Sequence, residues 1–261
     1  MYETNLSEHW GGSGVSSFES TAQLVAASGA MDLAPRPLTR GRRVFDVVGA
    51  ILAILLLAPA FLLVGLAVRL TSPGPIFYRQ TRVGINRRAG AERRRVAGHR
   101  IASDQRRKDR RTIASAGCLF RIIKFRTMVD DAEAALGPIW ATANDARITP
   151  VGRLLRRTRL DEIPQLFNVL HGDMSFIGPR PERPFFVEKF RRAIPGYMER
   201  LTVPPGITGL AQVEHCYDTS EDDVRQKLEY DVRYLRNLGW RADLRILTKT
   251  VWVVVSGSGA H

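Results

Sequence analysis

The stretch RGRRVFDVVGAILAILLLAPAFLLVGLAVRLTSPGP, Arg40 to Pro75, decides the architecture. From Val47 to Val68 it holds 22 residues without a charge. At about 1.5 Å rise per residue, a straight helix of that length just crosses a hydrocarbon core about 30 Å thick. Two features argue for a different path. Pro59 sits in the middle and removes a helix hydrogen bond. Basic residues flank both ends: Arg40, Arg42 and Arg43 before, Arg69, Arg79 and Arg82 after. Positive flanks favour the cytoplasmic side, so they cannot both be served by a spanning helix. A helix that enters, bends at Pro59 and returns to the same face satisfies both. An ordinary single-pass helix is the competing reading, and these residues alone leave the two open.

Upstream, residues 1–39 read as a flexible tail, with the Gly/Ser-rich GGSGVSSFES and no sustained period. It does not read as a signal peptide, because the apolar run starts late and no cleavage pattern follows it. Downstream, residues 87–111 form a basic insertion, with eleven Arg and Lys against Glu92, Asp104 and Asp109. This block supplies most of the formal net charge of +13. Such a charge points to nucleic acid, anionic lipid or phosphorylated ligands. The block has no aromatic residue, whereas grooves for single-stranded nucleic acid interleave aromatics with basic residues. Anionic lipid is therefore preferred over nucleic acid, and a solvated loop stays open.

The remainder has the composition of a globular chain, 44% apolar and 25% charged over 261 residues. LFRIIKFRTM (119–128) alternates like a short strand. DDAEAAL (130–136) reads as a helix start with acids in its first turn. VGRLLRRTRLDEIPQLFNVL (151–170) has helical apolar spacing interrupted by Pro164. From Glu221 onward the period is helical, with Trp240 and Trp252 as interfacial anchors. The fold class expected is an α-dominated α+β: a membrane helix hairpin plus a compact catalytic domain with amphipathic interfacial helices. Cys118 and Cys216 make no metal spacing, and no two of the five histidines lie four apart.

One short segment concentrates chemistry. RTRLDEIPQLFNVLHGDMSFIGPRPERP (157–184) sets Asp161 and Glu162 side by side among arginines, then displays Arg180 between prolines. On a helix the two acids point about 100° apart, so they suit different tasks rather than one shared proton. One carboxylate can attack an electrophile. The other can hold a hard cation such as Mg²⁺, which prefers oxygen ligands and accompanies phosphates. Lys124, Arg126, Arg156 and Arg180 are candidates for neutralising a phosphate substrate. The plainer reading is a helix end whose acids are solvated and paired to Arg157 and Arg159.

The order of segments resembles the bacterial sugar transferase family, the monotopic phosphoglycosyl transferases that load a sugar phosphate onto a polyprenyl phosphate. The likeness covers roughly residues 40–260 and rests on LTSPGPIFYRQTRVG (70–84), IIKFRTMVDDAE (122–133), residues 145–184, PPGITGLAQV (204–213) and KLEYDVRYL (227–235). The resemblance implies a re-entrant helix over 40–72, kinked at Pro59, and a catalytic domain over 73–261 on the cytoplasmic face of the bacterial inner membrane. It implies that Asp161 is the nucleophile that takes hexose-1-phosphate from a UDP-sugar and releases UMP. Undecaprenyl phosphate then collects the sugar phosphate from the enzyme. Glu162 matches the partner acid associated with Mg²⁺, and Lys124, Arg156 and Arg180 match positions near the phosphates. Implied partners are the UDP-sugar, undecaprenyl phosphate and anionic membrane lipids, with no nucleic acid and a homodimer admissible. Such an enzyme opens exopolysaccharide, capsule, O-antigen or glycoprotein glycan assembly.

The chain departs from the family at the 87–111 insertion. It also has Pro204 and Leu210 where a Lys and a Trp are common. The multi-pass region that some members carry ahead of this core is not expected. The readings that compete are a membrane-tethered nucleic-acid binder using residues 87–111 and a non-enzymatic membrane scaffold.

Overall fold

The computed structural model describes residues 36, 38–85, 117–129, 145–214 and 221–256. The tail, apart from residues 36, 38 and 39, the basic insertion and the DDAEAAL segment lie outside the described residues.

Helix α1 (Arg40–Thr71) is the expected apolar segment. Thr39 caps it, its Oγ1 accepting from Arg42 N at 3.3 Å, and extended backbone at Ser72 ends it. Pro59 lies inside the helix rather than between two helices. Among the described residues α1 is the one helix long and apolar enough to cross a membrane. One of its edges is committed to the protein. Ala50 is fully buried, and Ala53, Ile54 and Leu57 pack with Phe120, Ile122, Leu166, Val169 and Met174. Phe61, Val64 and Val68 pack with Ile76, Phe125 and Leu155.

The N-terminal turns of α1 are also bolted down by polar contacts. Arg43 donates to the carbonyls of Val169 and Leu170 at 2.6 and 2.7 Å. Asp46 accepts from Ser175 Oγ and Phe176 N, both at 3.1 Å. Arg42 pairs with Asp243 at 3.1 Å. The opposite face leaves Leu55, Leu56, Leu62 and Leu63 more than two-thirds exposed.

Strands β1 (Phe77–Val83) and β2 (Leu119–Phe125) form an antiparallel ribbon that pairs Tyr78 with Lys124 and Val83 with Leu119. Helices α2 (Pro150–Arg157) and α3 (Gln165–His171) flank a 3₁₀ turn, Leu160–Glu162. The break in this helical run comes before the acid pair, not at Pro164, which caps α3. Arg159 adopts a left-handed conformation (φ 59°), the only non-glycine residue to do so among those described. It ends α2 and turns the chain into the acid-bearing 3₁₀ turn, a conformation that L-residues adopt at some cost.

Strands β3 (Ser175–Ile177) and β4 (Gly206–Thr208) pair in parallel. Gly178 and Gly206 make that junction possible, since a Cβ on Gly206 would meet Gly178 N at 2.1 Å. Helix α4 (Pro184–Ala193), a second 3₁₀ segment (Tyr197–Thr202), α5 (Leu210–Glu214), α6 (Glu221–Arg236) and α7 (Trp240–Ser256) complete the described chain. Phe186, Val187, Phe190, Tyr197, Leu228 and Val232 form the core between α4 and α6. The α-dominated reading therefore holds, with four short strands among the described residues.

Candidate active site

β2 carries Lys124, the 3₁₀ turn carries Asp161 and Glu162, and the loop after β3 carries Arg180. Lys124 Nζ and Arg180 Nη2 both donate to Glu162 Oε1 at 2.6 Å, and Arg180 Nη1 lies 3.4 Å from Oε2. Three of the expected residues thus meet at one carboxylate. Asp161 is equally buried but makes no side-chain hydrogen bond or ion pair among the described residues. Of the two adjacent acids only Glu162 is tied up by described side chains. The pairing with Arg157 and Arg159 that the plainer reading supposed does not form between described side chains.

The electrostatics separate the two acids. Burial pushes the Asp161 carboxyl above its ordinary value, with Lys124 opposing and Glu162 adding to the rise. Burial also acts upward on Glu162, but the charges of Arg180 and Lys124 outweigh it and hold that carboxyl well below its ordinary value. Burial lowers the Lys124 ammonium against the pull of Glu162. Arg180 is raised by Glu162 and stays charged.

Arg156 projects from the last turn of α2. Its Nε donates to Thr127 Oγ1 at 3.0 Å, which fixes the guanidinium plane. Burial lowers the Arg156 pKa, and the Asp161 charge is the first to oppose that. Thr127 was not singled out from sequence, although it stands three residues after Lys124 in the same motif. Arg126 goes elsewhere. It is buried, and its Nη2 donates to Ser72 O and Ser72 Oγ, each at 2.8 Å, while Nη1 donates to Pro73 O. The structure therefore sets Arg126 apart from the acid pair, clamping the segment that leaves α1. A phosphate-facing arginine and this clamp look alike in sequence, because the residue type does not record which groups it meets.

Among the described residues no three His, Cys, Asp or Glu side chains gather as a metal cluster. Mg²⁺ needs only one or two carboxylates when substrate phosphates and water supply the rest. Glu162 would supply that minimal protein share. A cation on Glu162 would share its oxygens with Lys124 and Arg180. Chemically, the site offers an acceptor-only carboxylate with no described partner and a surround of cations suited to a phosphoryl group.

A model of the bacterial sugar transferase family matches residues 38–90 and 103–257. The chain is 40% identical over 220 residues to the UDP-N-acetylgalactosamine-undecaprenyl-phosphate N-acetylgalactosaminephosphotransferase of Aeromonas hydrophila, covering 84% of this chain and 45% of that protein. It is 37% identical over 224 residues to the UDP-glucose:undecaprenyl-phosphate glucose-1-phosphate transferase of Caulobacter vibrioides, covering 84% of this chain and 72% of the relative. A protein of the same description from Escherichia coli is 36% identical over 214 residues, with 81% and 39% covered. The chain thus spans less than half the length of the Aeromonas and Escherichia relatives.

Proposed function

This chain belongs to the bacterial sugar transferase family, and we propose that it moves a hexose-1-phosphate from a UDP-sugar to undecaprenyl phosphate through a covalent intermediate on Asp161. The observation that carries this reading is the division of labour in the acid pair. Glu162 absorbs Lys124 and Arg180, which leaves Asp161 buried, without a described partner and facing a cationic surround.

In the first step an Asp161 oxygen attacks the sugar-bearing phosphorus. The bond from that phosphorus to the bridging oxygen breaks, and UMP leaves with the electron pair. The product is an aspartyl phosphate ester of the sugar. In the second step a phosphate oxygen of undecaprenyl phosphate attacks the same phosphorus. The Asp161 carboxylate is the leaving group, and the lipid diphosphate sugar is formed.

Lys124, Arg156 and Arg180 lower the repulsion between carboxylate and diphosphate and hold the equatorial oxygens as charge moves to the leaving group. Glu162 keeps Lys124 and Arg180 oriented and would hold Mg²⁺, which would supply neutralisation of the diphosphate charge.

The lipid acceptor suits the placement of the site. The Lys124 strand packs on α1 through Phe125, and both ends of α1 touch the same globular body. That supports a re-entrant, monotopic helix with its catalytic domain on the cytoplasmic leaflet of the inner membrane.

The test is UMP release from a panel of UDP-sugars by detergent-solubilised protein with Mg²⁺ and undecaprenyl phosphate. A donor that releases UMP with wild type but not with Asp161→Asn establishes the reaction. Omitting the acceptor should leave one burst of UMP per enzyme. Turnover that requires both substrates bound together, with no burst, would sink the covalent route.

A further inference from the structure

Arg180 reaches Glu162 from the segment Pro179–Pro184, in which every second or third residue is proline. Pro179, Pro181 and Pro184 have no N–H, so the segment cannot hold itself by its own backbone donors. Its carbonyls are held instead from outside, one by one. Pro179 O accepts from Gly206 N at 3.0 Å, and Arg180 O from Arg200 Nη2 at 2.9 Å. Pro181 O accepts from Arg82 Nη1 at 3.1 Å, and Glu182 O from Val83 N at 2.9 Å. Four consecutive carbonyls are thus fixed by β4, the second 3₁₀ segment and β1.

Two of those four donors come from arginines, Arg200 buried and Arg82 half-buried, and one carboxylate lies between them. Glu182 takes Lys227 Nζ at 2.9 Å, with Arg82 Nη1 at 3.6 Å and Arg200 Nη1 at 3.9 Å. Arg200 is held further by Asp231 at 2.9 Å and by the Tyr197 hydroxyl at 3.0 Å. An ion cluster of this kind is a poor way to gain stability, since apolar residues of similar volume do as well or better. It does what an apolar core cannot, which is to grip the carbonyls on either side of a displayed side chain.

We propose that Glu182 is a positioning residue of the site: without touching substrate, it orders Arg82 and Arg200 so that the chain carrying Arg180 has one conformation. The claim rests on the reaction proposed above. Its signature is dependence on Arg180. A residue that merely supports the fold costs the same whether Arg180 is present or not.

The experiment is a double-mutant cycle on UMP release, with Arg180→Ala and Glu182→Gln singly and together. Glu182→Gln is expected to lower kcat/KM roughly 10- to 100-fold in wild type and by less than about 2-fold in the Arg180→Ala background. Equal losses in both backgrounds would overturn the proposal. Should Glu182→Gln fail to fold, Glu182→Asp keeps the charge one methylene shorter and is read in the same cycle.

Hydrogen exchange gives a readout free of the reaction. Glu182→Asp should speed exchange of the Val83 and Gly206 amides, which donate to Glu182 O and Pro179 O, and leave those of α3 unchanged. If wild type releases no UMP from any donor, the proposed reaction fails while the exchange result still tests the positioning. Unchanged exchange of the Val83 and Gly206 amides would overturn it.

Discussion

Asp161 and Glu162 are neighbours buried to nearly the same degree, yet burial and charge act on them with opposite net sign. Asp161→Asn should lower UMP release by about 10³-fold or more, because an amide is a poor nucleophile. In the same variant, without nucleotide or added Mg²⁺, Tm at neutral pH should rise by about 2–4 °C, since a buried carboxylate with no described partner is removed. Glu162→Gln should lose both activity and stability, the latter on the order of 2–3 kcal/mol, by leaving Lys124 and Arg180 without their shared counter-charge. An Asp161→Asn protein that is inactive and also less stable would contradict this division. Glu182 supplies the pH dependence. Burial pushes its carboxyl up, but Lys227, Arg200 and Arg82 hold it at about 2, against an ordinary 4.5. A depressed folded-state value means the unfolded chain binds the proton more readily. Its contribution is therefore fully present above 4.5 and lost as pH falls toward 2. That shift is worth about 3 kcal/mol. Thermal melts of wild type and Glu182→Gln should differ most near neutral pH and converge only as pH falls toward about 2.

At the scale of elements, the exit of β2 and the end of α2 show how two arginines come to different ends. Arg126 holds the carbonyls of Ser72 and Pro73 at the foot of α1, whereas Arg156, oriented by Thr127, faces the acid pair. Arg126→Met should cost on the order of 2–4 kcal/mol of stability, because buried carbonyls lose their donors. Arg156→Met should leave Tm nearly unchanged and lower kcat/KM roughly 100-fold, as for loss of one charge-stabilising donor. Melting and UMP release on the two variants separate the roles. This is also where legibility in the sequence ran out. The α1 helix, β2, the helical run around the acids and the C-terminal helices follow from periodicity. Charge near the acid pair singles out Lys124, Arg126, Arg156 and Arg180 alike, and only their contacts separate Arg126 from the others. β1, β3 and β4 do not follow from periodicity, because β3 and β4 are three residues each and exist through backbone crossing at Gly178 and Gly206. The Arg82–Glu182–Arg200–Lys227 cluster was hidden for a different reason. In sequence a buried ion is indistinguishable from a solvated one, and only burial gives these residues their task.

The whole molecule presents one continuous question, which is where its apolar surface goes. Leu55, Leu56, Leu62 and Leu63 on α1 stand exposed, as do Val251, Trp252 and Val255 near the end of α7. Together they exceed the single exposed hydrophobics of an ordinary soluble surface and call for a lipid environment. Phe45 packs edge-on against Trp240 with ring centroids 5.5 Å apart, which joins the start of α1 to the start of α7. The end of α1 is joined to β2 through Arg126. A helix crossing a core about 30 Å thick would carry its far end away from any body held at its near end. Contacts from both ends to one body, with arginines flanking both, favour insertion and return. The measurement is cysteine accessibility in a background with Cys118 and Cys216 replaced by Ser. Arg40→Cys and Thr71→Cys, made singly, should both react with an impermeant maleimide in inverted inner-membrane vesicles and neither in right-side-out ones. Pro59→Leu restores the missing helix donor and should push a fraction of the molecules toward a span, exposing one of the two sites in right-side-out vesicles. Opposite accessibility of the two sites in the parent protein would refute the monotopic arrangement. It would also require the catalytic body to release one end of α1 on membrane insertion.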